Sequence, residues 1–152
     1  ANLNAAYQRL IQEPKSKQKN SAIIYDLITI CNTYLSSLSS LGVYIRTNET
    51  GTAPIQFEIY IKHILANLEN AIAILNNKLS SNSLNNEELE IATKNYEDYF
   101  NNLSNRRDKE IEKGFPISTE MRIQLHETQL VYEQVRWLFN LSENLVKSVR
   151  KF

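Results

Sequence analysis

A chain of 152 residues with 42% apolar and 22% charged residues suits one globular domain and argues against a disordered chain. Its 17 basic and 17 acidic residues cancel, which removes the charge excess that nucleic-acid binding draws on. Three glycines and three prolines are too few for a turn-rich sheet protein, and a single cysteine, Cys31, excludes an internal disulfide and points to a reducing compartment.

The first helix is expected over about Asn2–Gln12, with Leu3, Tyr7, Leu10 and Ile11 on one face. It is too short to be stable alone and must dock. Pro14 disfavours helical geometry at Glu13 and ends it, and KSKQKN follows as a polar connector. The second helix covers about Asn20–Ile45. Its seam is Ile24, Leu27, Cys31, Tyr34, Leu38, Leu41 and Ile45, spaced three and four residues apart. Ser36, Ser37, Ser39 and Ser40 surround the later half, where they admit a close neighbour or face water.

The third helix starts near Thr52–Pro54, where Thr52 can cap and Pro54 is tolerated in the first turn. Phe57, Ile61, Ile64, Leu68, Ala71 and Leu75 repeat the seam, widened by Leu65, Ile72 and Leu79. The fourth opens at Asn85 or Asn86 and presents Leu89, Ala92, Tyr96, Tyr99, Leu103 and Arg106. Gly114 and Pro116 break the chain after it. The fifth begins after Ser118 and runs to about Arg150, nearly 50 Å at about 1.5 Å per residue. Met121, Leu125, Thr128, Tyr132, Val135, Phe139, Ser142, Val146 and Val149 form its main seam. Ile123, Leu130, Trp137 and Leu141 form a second stripe, and the first helix is the expected cover for it.

These elements predict an all-α fold: an antiparallel up-down four-helix bundle of long helices with a short additional N-terminal helix. The whole chain, 1–152, reads as a single domain. Residues 1–19 supply the first helix and the Lys-rich connector, and residues 20–152 the bundle. No apolar run approaches the roughly 20 residues that span a bilayer, and the front carries no signal-peptide pattern. The chain starts without Met and enters helical pattern at once, which removal of an initiator Met and excision from a longer protein explain equally well. Only the family resemblance of the opening stretch, given below, favours excision from a larger membrane protein.

The chemistry of bundles is mostly missing from the pattern. A di-iron site needs Glu-x-x-His pairs on two helices, and neither His63 nor His126 stands in one. His126–Glu127 lacks the second histidine of a zinc-protease helix. Cys31 sits on an apolar seam as an inert thiol, with no base nearby in sequence. No cofactor or metal is expected, and no catalytic residue. Tyr7, Tyr34, Tyr96, Tyr99, Tyr132 and Trp137 either line a pocket for an aromatic ligand or belong to the core and its boundary. Arg106 and Arg107 beside Asp108 read as a surface ion-pair cluster. Lys15, Lys17 and Lys19 make a compact positive edge, suited to membrane-proximal contact with anionic headgroups or to keeping a loop hydrated.

The stretch AAYQRLIQEPKSKQKN resembles a segment of bacterial YccS-type proteins of the fusaric-acid-resistance (FUSC) membrane family, approximately A-F-Q-R-M-x-x-E-P-K-S-K-Q-K-N. Ala6, Gln8, Arg9 and the run Glu13–Asn20 match, while Tyr7 and Leu10 replace a phenylalanine and a methionine. The closing Tyr132–Leu145 is weakly similar to the end of such proteins. The strong part covers about a tenth of the chain. The resemblance implies a non-catalytic cytosolic accessory domain on the inner-membrane face of a bacterial exporter of aromatic or organic acids. Its expected partner is the membrane domain of the same polypeptide, with homo-oligomer and anionic-lipid contacts as further candidates and no nucleic acid. Leu130, Trp137 and Leu141 are the candidate interaction stripe. The alternatives are a small-ligand-sensing bundle and a stand-alone helical interaction domain.

Overall fold

The structure, a computed structural model, describes residues 3–47, 55–78, 86–114, 116 and 118–152. All regular structure among these residues is helical: α1 Leu3–Gln12, α2 Ser21–Thr47, α3 Ile55–Leu75, α4 Asn86–Glu112 and α5 Thr119–Val149. The expected start of the third helix at Thr52–Pro54, and Leu79 at its far end, lie outside the described residues.

Local chemistry sets the boundaries. Ser118 caps α5, its hydroxyl accepting from the Met121 amide at 3.2 Å, with Glu120 in the first turn against the helix dipole. Asn77 ends α3 in the left-handed region (φ 54°), and the Lys78 amide reaches back to the Ala73 carbonyl at 2.9 Å, as in a Schellman turn. Gly114 closes α4 with φ 75°, which a side chain would strain. The connector after α1 is a built turn. Gln18 Nε2 donates to the carbonyls of Ile11 (3.0 Å) and Glu13 (2.6 Å), satisfying the exposed end of α1. Asn20 takes φ 57°, and its side-chain amide donates to the Phe152 carbonyl at 3.3 Å.

Helix α5 is central, packing against α2, α3 and α4, and α4 also packs on α3. The main core joins Leu41 of α2, Phe57, Tyr60 and Ile64 of α3, Ala92 and Tyr96 of α4, and Tyr132, Val135 and Leu138 of α5. A smaller cluster, Ala71, Val146 and Val149, lies near the end of α5, flanked by Leu27, Ile74 and Leu145. Seven of the nine residues expected on the main seam of α5 are buried, Met121, Leu125, Tyr132, Val135, Ser142, Val146 and Val149; Thr128 and Phe139 are partly buried, and Leu138, outside the expected seam, is buried.

Two expectations are corrected. Helix α1 packs on α2 alone among the described elements, and does not cover the second stripe of α5. The cause is the connector, which doubles back so tightly that a ten-residue helix can only lie along the start of α2. The stripe meets α2 instead: Trp137 Nε1 donates to Ser37 Oγ at 3.2 Å, Leu130 faces Ser36, Ser40 and Tyr44, and Leu141 is buried. The second correction concerns α2 and α3. Leu38, Ile45, Ile61 and Leu75, read as seam residues, are all about half exposed, because no Cα of α2 lies within 8 Å of one in α3. These helices flank α5 without closing on each other.

Candidate functional site

The opening between α2 and α3 is an apolar slot of about 660 Å³, within the size range of small-molecule sites. Ile24, Leu27, Ile28 and Cys31 line it from α2, and Leu68, Ala71, Ile72 and Leu75 from α3. Leu145 and Val149 of α5 complete the lining between them, and Ala6, Tyr7 and Leu10 of α1 wall one side. The slot follows from the residue spacing. On α2 the stripe Ile24–Cys31 continues through Leu35 and Leu38; on α3, Ile61, Leu65, Leu68, Ile72 and Leu75 recur at intervals of four and three. Leu35 and Ile72 are each 59% exposed, and Leu65 is 55%. Apolar side chains that elsewhere would be a helix–helix seam are left open to solvent along both walls.

Cys31 is half-buried in this lining, and burial raises its thiol pKa, which lowers its thiolate fraction at neutral pH and makes it slow to react. Tyr7 stands against Tyr25 with centroids 5.5 Å apart, and Asn32 Nδ2 donates to Asn4 Oδ1 at 3.3 Å, so α1 is held to α2 as a hairpin.

The end of the molecule next to the slot is basic. Lys15, Lys17 and Lys19 lie between α1 and α2, Lys78 follows α3, and Arg150 and Lys151 follow α5; all are exposed. The Asn20–Phe152 hydrogen bond brings the connector and the end of α5 together. The three lysines of the connector and the stripe Leu130–Trp137–Leu141 are therefore not one site. The first lies by the slot, and the second runs along the α2–α5 contact, with Leu141 buried and Trp137 47% exposed.

The tyrosines do not converge on a pocket. Tyr96 and Tyr132 are core residues, and burial pushes both phenols well above the usual range. Tyr34 packs at the core edge, and Tyr99 is partly exposed, accepting from Gln124 Nε2 at 3.2 Å. Arg107 pairs with Asp108 at 2.7 Å and Arg106 with Glu110 at 3.4 Å, an exposed cluster at the far end of α4. His63 is 4% exposed, its Nε2 has no hydrogen-bond partner, and burial lowers its pKa. Among the described residues no group of three His, Cys, Asp or Glu side chains could hold a metal ion, and no helix is long and apolar enough to cross a membrane.

The sequence reading missed the slot and the roles of Gln18 and Asn20. The slot was in view as two apolar stripes, but stripes do not say whether they meet. Asn20 carried a usable signal, since asparagine before a helix favours both capping and the left-handed region. No family model matches the chain, and no curated protein or solved structure gives a significant match.

Proposed function

We propose that this chain is a non-catalytic helical binding domain whose working surface is the slot between α2 and α3. The observation that carries this is the pair of apolar walls left half-exposed around one shared opening. Several interior polar groups hold helices together: Tyr60 bonds Thr93 at 2.7 Å, Asn67 bonds Ser142 at 3.0 Å and Tyr96 bonds the Thr128 carbonyl at 2.9 Å, while His63 Nε2 and Asn70 Oδ1 are buried without a partner among the described residues. We read the topology as an up-down-up-down bundle opened between its first two long helices. Pairs that run in opposite order along the chain support those directions: Ser37–Trp137 and Tyr44–Leu130 for α2 and α5, Tyr60–Thr93 and Lys62–Glu88 for α3 and α4, and Tyr96–Thr128 and Tyr99–Gln124 for α4 and α5. Photo-crosslinking tests the reading. A benzophenone side chain at Ile72, in the slot, should give a discrete adduct in the producing cell, and the same group at exposed Glu90 should not. Identical adducts from both positions would sink the proposal.

The resemblance of residues 6–20 to FUSC-type proteins supports a setting for this domain. It would be a cytosolic accessory unit attached to the membrane domain of an exporter of aromatic or organic acids. In that setting Lys15, Lys17 and Lys19 sit closest to the inner-membrane face, where anionic headgroups attract such charges. Protease accessibility in oriented membrane vesicles tests this: cleavage from the periplasmic side would exclude it.

A further inference from the structure

We infer that the slot takes a single-chain anionic amphiphile, a long-chain fatty acid, with its alkyl chain along α2 and α3 and its carboxylate at the basic end of the molecule. This rests on the slot being the working surface, and it adds the class of ligand.

The polarity of the site selects the ligand. Midway along the bundle the lining is Cys31, Leu68 and Leu145, which offer hydrocarbon and a protonated thiol. At the other end it is Leu10, Ile24, Leu75 and Val149, and each of these lies within five residues of an exposed cation. Lys15 and Lys19 neighbour Leu10 and Ile24, Lys78 follows Leu75, and Arg150 and Lys151 follow Val149. None of these five, nor Lys17, is in an ion pair among the described residues. The carboxylates nearest in sequence are Glu13, Asp26 and Glu143, and Glu143 is engaged by Lys147 at 3.8 Å. An apolar helix from a partner would fill the hydrocarbon part and leave these cations without counter-charge. An acid with a long tail satisfies both.

Carbonyls at the helix C-termini would oppose an anion at this end. They are largely occupied. Gln18 bonds two carbonyls at the end of α1, and the turn at Asn77 takes those at the end of α3. The Arg150 and Lys151 amides bond the Val146 and Ser148 carbonyls of α5.

Cys31 gives a direct readout, because it is the single cysteine of the chain and part of the lining. Oleate, added below its micelle concentration, should slow alkylation of Cys31 by N-ethylmaleimide, saturating at one equivalent. Affinity should rise about two- to fourfold per methylene across saturated acids. Oleyl alcohol should bind about five- to tenfold more weakly at low salt, a gap that closes at high salt. Dodecyltrimethylammonium should not protect. Ile72→Asp with Leu75→Asp should abolish protection, and circular dichroism checks that this variant folds. Lys15→Ser with Lys17→Ser and Lys19→Ser should remove the preference for acid over alcohol, and leaves the apolar lining intact. Unchanged alkylation in the presence of oleate overturns the inference, as does equal protection by acid, alcohol and cation. It is also overturned if sedimentation shows a dimer with Cys31 already shielded, or if anionic vesicles bind the protein while monomeric oleate does not. If oleate fails but the Ile72 photo-adduct persists, the fatty acid is wrong and the binding-domain reading stands. If both fail, so does the reading.

Discussion

The rings of Tyr96 and Tyr132 lie face to face where α4 meets α5, centroids 3.5 Å apart and planes 7° apart. Tyr60 of α3 meets Tyr132 edge-on at 5.9 Å, so three helices share one aromatic cluster. Each phenol has a partner: Tyr96 donates to the Thr128 carbonyl, and Tyr60 bonds both Thr93 and, at 3.4 Å, Tyr132. Truncating Tyr96 removes the stack and leaves a cavity, so Tyr96→Ala should cost about 3–5 kcal/mol in urea unfolding. Tyr96→Phe keeps the ring and loses one hydrogen bond, and should cost about 1 kcal/mol.

Alkaline pH should attack the same cluster. Burial raises both Tyr96 and Tyr132; a nearby Glu133 adds to the first, and the hydrogen bond that Tyr132 shares with Tyr60 adds to the second. The unfolded chain ionises near the ordinary value of 10.0, while the folded phenols stay protonated. The folded state therefore binds more protons, and stability falls as pH rises above 10. Unfolding midpoints measured across that range should drop in the parent chain and drop less in Tyr96→Phe. A flat profile would contradict the burial of these hydroxyls.

His63 should make the fold sensitive in the other direction. Its ring meets Phe139 edge-on at 6.3 Å, and desolvation lowers its pKa from 6.5; Glu88 opposes the shift and Lys62 adds to it. As pH falls through 6.5 the unfolded chain takes the proton first. Stability is lost from there down to the lowered folded pKa and then levels off. His63→Leu removes both the titration and a buried nitrogen without a partner, and should stabilise by about 1 kcal/mol at neutral pH. Its unfolding midpoint should lose the slope between pH 7 and 5 that His63 contributes.

The sequence carried the helices and the α5 seam well, because α5 is apolar over two stripes and meets a helix on each. Ser142 stood on that seam and is fully buried, although serine is a poor predictor of burial by type. Helices α2 and α3 were read less well for a physical reason. Periodicity identifies an apolar face but not its occupant, and Leu35, Leu38, Ile61 and Leu65 lie on faces left exposed, with α2 and α3 not in contact among the described residues. The basic end of the slot was beyond any local pattern. It is assembled from cations 15, 78 and 150 residues into the chain, and only the packing of three helix ends brings them near one another.

Helix α1 should behave as a separable unit. Among the described helices it packs on α2, with Tyr7 on Tyr25 and Asn32 bonding Asn4, and at ten residues it has little stability of its own. Tyr7→Ala should therefore bring amide exchange in α1 close to the unfolded rate. Global unfolding free energy should change by less than about 1 kcal/mol, because α2 to α5 keep their contacts. Hydrogen exchange resolved by residue distinguishes this from a loss of stability shared by every helix.

The packing of α3 on α5 includes a small, fully buried polar side chain. Ser142 is 0% exposed; its hydroxyl donates to the Phe139 carbonyl at 2.7 Å and accepts from Asn67 Nδ2 at 3.0 Å. Two effects can be separated here. Ser142→Ala keeps the close approach but leaves the Asn67 amide without its acceptor, at a cost of about 1 kcal/mol. Ser142→Leu adds volume where none is free, and either the side chain leaves its rotamer or α3 moves away from α5. That should cost about 1–3 kcal/mol or more. Displacement of α3 would also reshape the slot, since Leu68, Ala71 and Ile72 come from the same helix. Ser142→Leu should thus change the alkylation rate of Cys31, while Ser142→Ala should not. Equal alkylation rates in the two variants, with Ser142→Leu folded, would show that α3 is not held in register by this contact.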